Sequence, residues 1–265
     1  MSVERRVGFT YIGVFKSLTA LALAMWGFTA TSTQASVTYT GSFLGNDSGE
    51  TNSASAEFGL SISGSTTNLV VTLSNLATYQ PNDLPDILTA VFFTLAGNPT
   101  LTKISGVLNA GSVGVENGTN LTIAGGVIGG SWTYKSGLSG APGGATQGIS
   151  SAGFGLFSPG NVFPGVTMPD DPVVPDGGGG GLTTTVDGGV SDGLNGRPFI
   201  QYSAIFTLGA VPGSFSLADI SGVNFQYGTA LDEGNTSGTV IPEPSSIALA
   251  AVGLSLLGLL SRKRR

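Results

Sequence analysis

Apolar side chains recur at every second position in five stretches of the chain, separated by small polar residues. The stretches are Phe58, Leu60 and Ile62; Leu69, Val71 and Leu73; Val91, Phe93 and Leu95; Ile200, Tyr202, Ala204, Phe206 and Leu208; and Val223, Phe225 and Tyr227. A period of two predicts strands with one buried and one polar face. Gly, Asn and Pro interrupt the runs at intervals typical of antiparallel strands. We predict about ten strands in an all-β antiparallel sandwich or jelly roll, with a β-solenoid as the alternative.

The alternation stops in the segment 158–198. It holds eleven Gly, six Pro and five Asp, and so long a loop in a compact domain is usually functional or disordered. Its carboxylates are Asp170, Asp171, Asp176, Asp187 and Asp192. Calcium is the cofactor that such oxygen ligands on flexible backbone would bind. The spacing matches no known calcium loop, however, so we favour a solvated acidic loop without a metal.

The N-terminal residues 1–35 predict a secretory signal peptide. A start containing Arg5 and Arg6 precedes an apolar run at 18–30, and small residues follow. The run has about 13 residues, whereas a span of the bilayer needs roughly 20, which argues against a permanent anchor. We expect cleavage after Ala35 and export by the general secretory route.

The C-terminal residues 242–265 have three parts. Pro242, Glu243 and Pro244 precede an apolar run at 247–260, and the chain closes with a basic cluster. The cluster is Arg262, Lys263, Arg264 and Arg265. The apolar run predicts one short transmembrane helix whose basic end stays in the cytoplasm, so that the preceding domain lies outside. A plain tail anchor with an incidental proline pair is the alternative.

This order of motifs resembles the PEP-CTERM sorting signal of exosortase-dependent bacterial surface proteins. The resemblance implies that exosortase, a membrane-embedded cysteine transpeptidase, recognises Pro242, Glu243 and Pro244 and releases or transfers the ectodomain 36–241. The stretches DILTAVFFTL, GISSAGFGLF and FQYGT resemble segments of a group of PEP-CTERM surface proteins without an established activity. That second resemblance implies a β-rich ectodomain and a variable loop at 160–196, and it transfers no active site.

The ectodomain is strongly acidic. It keeps Lys103, Lys135 and Arg197 against 14 acids, a formal net charge of −11, whereas the whole chain carries −6. Such a charge repels phosphate backbones, so we expect no nucleic-acid partner. It also disfavours direct binding to an anionic membrane surface.

Catalytic chemistry is poorly supported by this composition. The chain has neither Cys nor His, which excludes thiol nucleophiles, disulfides and histidine triads. Asp232 and Glu233 are adjacent acids in an expected turn, where a solvated tip is the simpler interpretation. We expect no catalytic residues and no enzyme activity. An acid-pair glycosidase is the weakest functional hypothesis, behind the two given below.

The leading hypothesis is an exported cell-surface or extracellular-matrix protein with a structural or adhesive role associated with exopolysaccharide. The alternative is a carbohydrate-binding module, with calcium assistance from the acidic loop. Trp132 and Tyr134 are the candidate glycan-binding residues, because aromatic side chains at i and i+2 of a strand share a face and form a stacking platform. Most other aromatic residues are expected in the core.

Overall fold

The computed structural model describes residues 35–45, 49–81, 83–169, 179–184 and 196–241. These ranges contain fifteen strands, six short 3-10 turns and no α-helix. The strands are β1 (Ser36–Leu44), β2 (Thr51–Ser63), β3 (Thr66–Asn75), β4 (Leu88–Leu95), β5 (Thr102–Leu108), β6 (Val113–Glu116), β7 (Thr119–Leu121), β8 (Thr133–Ser136), β9 (Gln147–Ser150), β10 (Leu182–Thr183), β11 (Phe199–Gln201), β12 (Ser203–Gly209), β13 (Ile220–Tyr227), β14 (Asn235–Ser237) and β15 (Thr239–Ile241). The 3-10 turns are Leu84–Asp86, Ala124–Gly126, Gly129–Ser131, Pro142–Gly144, Pro159–Asn161 and Leu217–Asp219.

Two sheets form a sandwich, which confirms the predicted fold class. The first sheet has the order β15-β1-β2-β3-β12-β5 and is antiparallel throughout. The second sheet has the order β14-β13-β4-β10-β11-β6-β7, with β9 pairing with β4 and β8 pairing with β9. The pair β10 and β11 is parallel. The number of strands exceeds the predicted ten, because several strands have only two to four residues and are too short to show the alternation.

The main core lies between the sheets, where the predicted alternation is best seen in β3. Leu69, Val71 and Leu73 are fully buried, as predicted. Strand β4 is buried on both faces: Phe93 joins the main core, while Phe92 packs in a second cluster with Leu138, Ala141, Ala145 and Phe157. The segment that carries this cluster therefore covers the outer face of the second sheet.

The predicted strand from Ile200 to Leu208 is in fact two strands in different sheets. Strand β11 belongs to the second sheet and β12 to the first. Tyr202 lies between them with φ of +78° and is 47% exposed. A positive φ is costly for a residue with a Cβ, so the change of sheet is local to Tyr202. The alternation continues across this point and therefore conceals it.

The described parts of the segment 158–198 are more ordered than predicted. Leu182 pairs with Leu88 of β4 and with Ile200 of β11, so β10 completes the second sheet. Phe163 and Met168 are 2% exposed and belong to the main core. For these described parts the expectation of a solvated loop is wrong. Short apolar stretches between Gly and Pro give no periodic signal, so the sequence did not reveal them.

Candidate functional site

The predicted glycan platform is wrong, because Trp132 lies in the interior. Its side chain is 0% exposed, and its ring centroid lies 4.7 Å from that of Phe206 in the facing sheet. The indole Nε1 donates a hydrogen bond to the carbonyl of Gly180 at 3.1 Å. A side chain with both its ring and its N–H group engaged inside the protein cannot stack on a sugar.

Two glycines explain why the chain closes over Trp132. A Cβ on Gly129 would lie 2.1 Å from the carbonyl oxygen of Pro164, and a Cβ on Gly130 would lie 2.3 Å from the amide nitrogen of Thr167. Only glycine permits so close an approach of two backbone segments. The stretch that contains Pro164 therefore lies directly on the turn before Trp132 and covers this turn.

Tyr134 is also buried, at 2% exposure. Its hydroxyl donates a hydrogen bond to Oε1 of Gln147 and accepts one from the amide of Leu101 at 3.3 Å. Burial raises the pKa of Tyr134 to about 12, against the weaker lowering effect of its hydrogen bonds with Leu101 and Ser136. The hydroxyl of Tyr134 thus joins two chain segments, and because the side chain is buried it has no ring face available to a ligand.

These buried tyrosines predict a loss of stability in alkali. Burial also raises the pKa of Tyr227 well above its ordinary value. The folded state therefore keeps phenolic protons that the unfolded state releases. For Tyr134 the resulting stabilisation is complete below about pH 10 and is lost as the pH rises through about 12. For Tyr134 alone, we expect the free energy of unfolding to fall by about 2–3 kcal/mol over this window.

Urea unfolding at about pH 9 and about pH 11 measures this effect. Tyr134→Phe should lose less stability between the two pH values than the wild-type protein does. Tyr202→Phe is the matched control, because it removes the hydroxyl of a half-exposed tyrosine instead of a buried one. An identical pH dependence in Tyr134→Phe and the wild type would show that Tyr134 titrates normally.

The candidate calcium ligands Asp170, Asp171, Asp176, Asp187 and Asp192 lie outside the described residues, so calcium binding by this loop stays a prediction. Within the described ranges, no group of three His, Cys, Asp or Glu side chains is placed to hold a metal ion.

Three acids line a small cavity of about 150 Å³ beside β1. They are Asp86, Asp232 and Glu233. The Oε2 atom of Glu233 accepts hydrogen bonds from the amides of Thr229 and, at 3.0 Å, of Ala230. Glu233 therefore fastens the turn after β13, and Asp232 beside it is exposed. The adjacent acids lie in a turn, as predicted, and the role of Glu233 there is structural.

A larger groove of about 370 Å³ lies where β1 and β2 meet the strands β14 and β15. It is lined by Thr40, Gly41, Ser42, Ser53, Ala54, Leu76, Thr236, Ser237 and Thr239. The hydroxyl of Thr236 donates to the carbonyl of Ser42 and that of Thr239 to the carbonyl of Thr40, both at 3.2 Å. None of these lining residues carries a charge, so the groove offers hydroxyl and backbone groups to a neutral ligand.

The groove opens onto a row of hydroxyl side chains that crosses the outer face of the first sheet. The strand register places Thr239 opposite Thr40, Thr40 opposite Ser55, and Ser55 opposite Ser74. We call these four residues the hydroxyl row. Ser203, opposite Ser74, is buried and its hydroxyl bonds with Asn109 and Ser112, so the row ends at β3. Neighbouring strands lie about 4.8 Å apart, so the row presents a hydroxyl at each step over four strands. Period-two alternation predicts polar outer faces, but the alignment into one row depends on the register.

The sequence-predicted processing residues lie outside the described residues, as do the signal peptide and the predicted transmembrane helix. Ala35 begins the described part of the chain, and Ile241 closes β15 immediately before Pro242. Within the ranges that the structure describes, no helix is long and apolar enough to cross a membrane.

Comparison with known proteins identifies the C-terminus. Residues 240–265 match the family model of the PEP-CTERM protein-sorting motif. No curated protein and no solved structure matches the chain. The motif implies an exported bacterial surface protein that exosortase sorts. The particular feature of this chain is a PEP-CTERM signal that directly follows the last strand of a β-sandwich.

Proposed function

We propose that the mature domain is a non-enzymatic structural or adhesive protein of the cell surface or extracellular matrix, and that it associates with exopolysaccharide. The sorting motif supplies the destination, and the hydroxyl row is the single observation that supports the association. A polysaccharide presents many hydroxyl groups, so the hydroxyl row offers it hydrogen-bond donors and acceptors on four neighbouring strands.

The charge distribution supports the same interpretation. A neutral ligand gains nothing from the domain's net charge of −11 and meets no charged side chain within the hydroxyl row. Individual exposed hydrogen bonds contribute little, because they replace hydrogen bonds to water. Useful affinity therefore requires many contacts along an extended polymer, which suits a matrix protein better than a binder of short sugars.

The precursor state is the second part of the proposal. The apolar run 247–260 anchors the precursor in the inner membrane, with Arg262 and Arg265 on the cytoplasmic side, until exosortase acts near Pro242 and Pro244. The order of apolar and basic segments supports this topology. The final acceptor of the released domain is then an envelope component or the matrix itself.

A charge placed in the hydroxyl row tests the association. In protein released by the producing bacterium, Ser55→Arg should weaken binding to that bacterium's purified exopolysaccharide by about tenfold, equivalent to about 1.4 kcal/mol. Ser61→Arg is the matched control: it adds the same charge to the same face of β2, six residues away and outside the row. Co-sedimentation measures both.

Equal binding by the two variants would exclude the hydroxyl row as the contact surface. Binding that is lost only on addition of a calcium chelator would instead favour the acidic loop. Hydrolysis of the polysaccharide during the assay would contradict the non-enzymatic role.

A further inference from the structure

Both ends of the described domain lie at the same end of the first sheet. Strand β1 starts at Ser36 and β15 ends at Ile241, and the two strands are antiparallel neighbours in which Thr38 lies opposite Ile241. The chain beyond Ile241 therefore leaves the sheet beside the start of β1. We call this part of the sandwich the exit end.

The chain length limits how far the exit end lies from the membrane. Five residues, 242–246, separate Ile241 from the apolar run that begins at Ile247. Fully extended, this connection spans at most about 20 Å. While the precursor is anchored by the apolar run, the exit end is therefore held close to the bilayer surface.

The exit end also carries an apolar groove. The groove has a volume of about 310 Å³ and is lined by Leu60, Ile62, Thr67, Pro212, Gly213 and Phe215, together with Ala35, the last residue of the expected signal peptide. Ser36 lies opposite Gly59, so Leu60 and Ile62 of β2 continue past the first residue of β1. Ile62 is 76% exposed, which is unusual for a large apolar side chain in a position next to other apolar groups.

Charge is absent from the two loops of the exit end. Residues 59–68, which include the hairpin between β2 and β3, contain no Asp, Glu, Lys or Arg, and neither do residues 209–216. The nearest acid beside them is Asp219, whose carboxylate accepts a hydrogen bond from the amide of Ser216 at 2.7 Å and caps the turn after the second loop. With this single acid, the exit end meets less repulsion from an anionic bilayer than the rest of the domain would.

We propose that the exit end rests on the phospholipid surface while the precursor is anchored, with Ile62 and Phe215 in the interfacial region. This inference depends on the anchored precursor of the proposed function. The tether keeps the apolar groove near the lipid, so even weak interfacial affinity suffices for contact. The contact fixes the orientation of the sandwich and holds the sorting motif at the membrane, where a membrane-embedded enzyme acts. Cleavage removes the tether and releases the weakly held surface.

Site-specific labelling tests this orientation, because the chain contains no cysteine. The full-length precursor carrying Glu243→Ala is reconstituted in phosphatidylcholine vesicles with an environment-sensitive fluorophore on Ile62→Cys. Leu44→Cys is the matched control: Leu44 is 64% exposed and lies opposite Thr51, eleven residues from Ile62 along β2, or about 35 Å.

The label at position 62 should emit at shorter wavelength in vesicles than in detergent-free buffer and should be quenched by brominated lipid roughly threefold more strongly than the label at position 44. Equal quenching at the two positions, in protein that sediments with the vesicles, would overturn the orientation and leave the anchor intact. Protein that does not sediment with the vesicles would overturn the anchored precursor and this inference together.

Discussion

Replacing Glu243 by alanine is expected to leave the protein as a full-length precursor in the membrane of a bacterium that contains exosortase. The substitution removes the carboxylate between Pro242 and Pro244 and changes neither the apolar run nor the basic end. Recognition of the sorting motif should therefore fail while membrane anchoring persists. Mass spectrometry of the C-terminus measures the outcome: the variant should retain Arg265, and the wild-type protein should lack it.

Asp232→Ala provides the control for this experiment. Asp232 is an exposed acid in a turn of the folded domain, so its loss matches the change in charge and leaves the sorting motif complete. We expect normal processing of this variant. Retention of the basic cluster by the wild-type protein would contradict the processing mechanism, and release of the Glu243→Ala variant at the wild-type level would show that the carboxylate is dispensable.

The parts of the fold that sequence could predict are those where one face of a strand meets water and the other meets the core. Leu69, Val71 and Leu73 in β3 show this most clearly, because their neighbours in the chain are largely small and polar. Strand β4 departs from the pattern at Phe92, which is buried on the face opposite Phe93. Burial on both faces depends on a covering segment that is remote in sequence, so local alternation cannot reveal it.

The change of sheet at Tyr202 was hidden for a different reason. Apolar residues continue at every second position through Tyr202 into β12, whereas the backbone turns into the left-handed region there. That conformation is usual for Gly or Asn, and a tyrosine gives no warning of it. The side-chain pattern correctly predicts burial for Ala204, Phe206 and Leu208 but not for Tyr202, and it does not show which sheet provides the neighbours.

The glycan platform was predicted from residue type and spacing alone, and it failed because neither shows whether a side chain is buried. Trp132 and Tyr134 share a face, as the spacing predicts, but that face is turned into the core. Gly129 and Gly130 were the available signal, since two glycines before a tryptophan permit another segment to lie on top of it. The hydroxyl row, by contrast, was not available from sequence, because its four members come from strands whose register only the structure provides.

Trp132→Ala is expected to cost about 3–5 kcal/mol of folding free energy, the usual range for removing a large aromatic side chain from a core. The residue contacts Phe206 of the facing sheet and donates a hydrogen bond to Gly180, so its loss leaves a cavity between the sheets and an unpaired carbonyl. A typical domain has about 5–15 kcal/mol of stability, so the variant should be marginally folded. Urea unfolding followed by circular dichroism measures the loss.

Trp132→Phe is the matched variant, because it keeps most of the buried volume and removes the hydrogen bond to Gly180; it should cost less than the alanine variant. The wild-type protein offers an independent test, since Trp132 is the sole tryptophan of residues 36–241. Its fluorescence in the mature protein should resist acrylamide quenching until the domain unfolds. Strong quenching in the folded state, together with an alanine variant as stable as the wild type, would return Trp132 to the surface and restore the aromatic platform that its burial excludes.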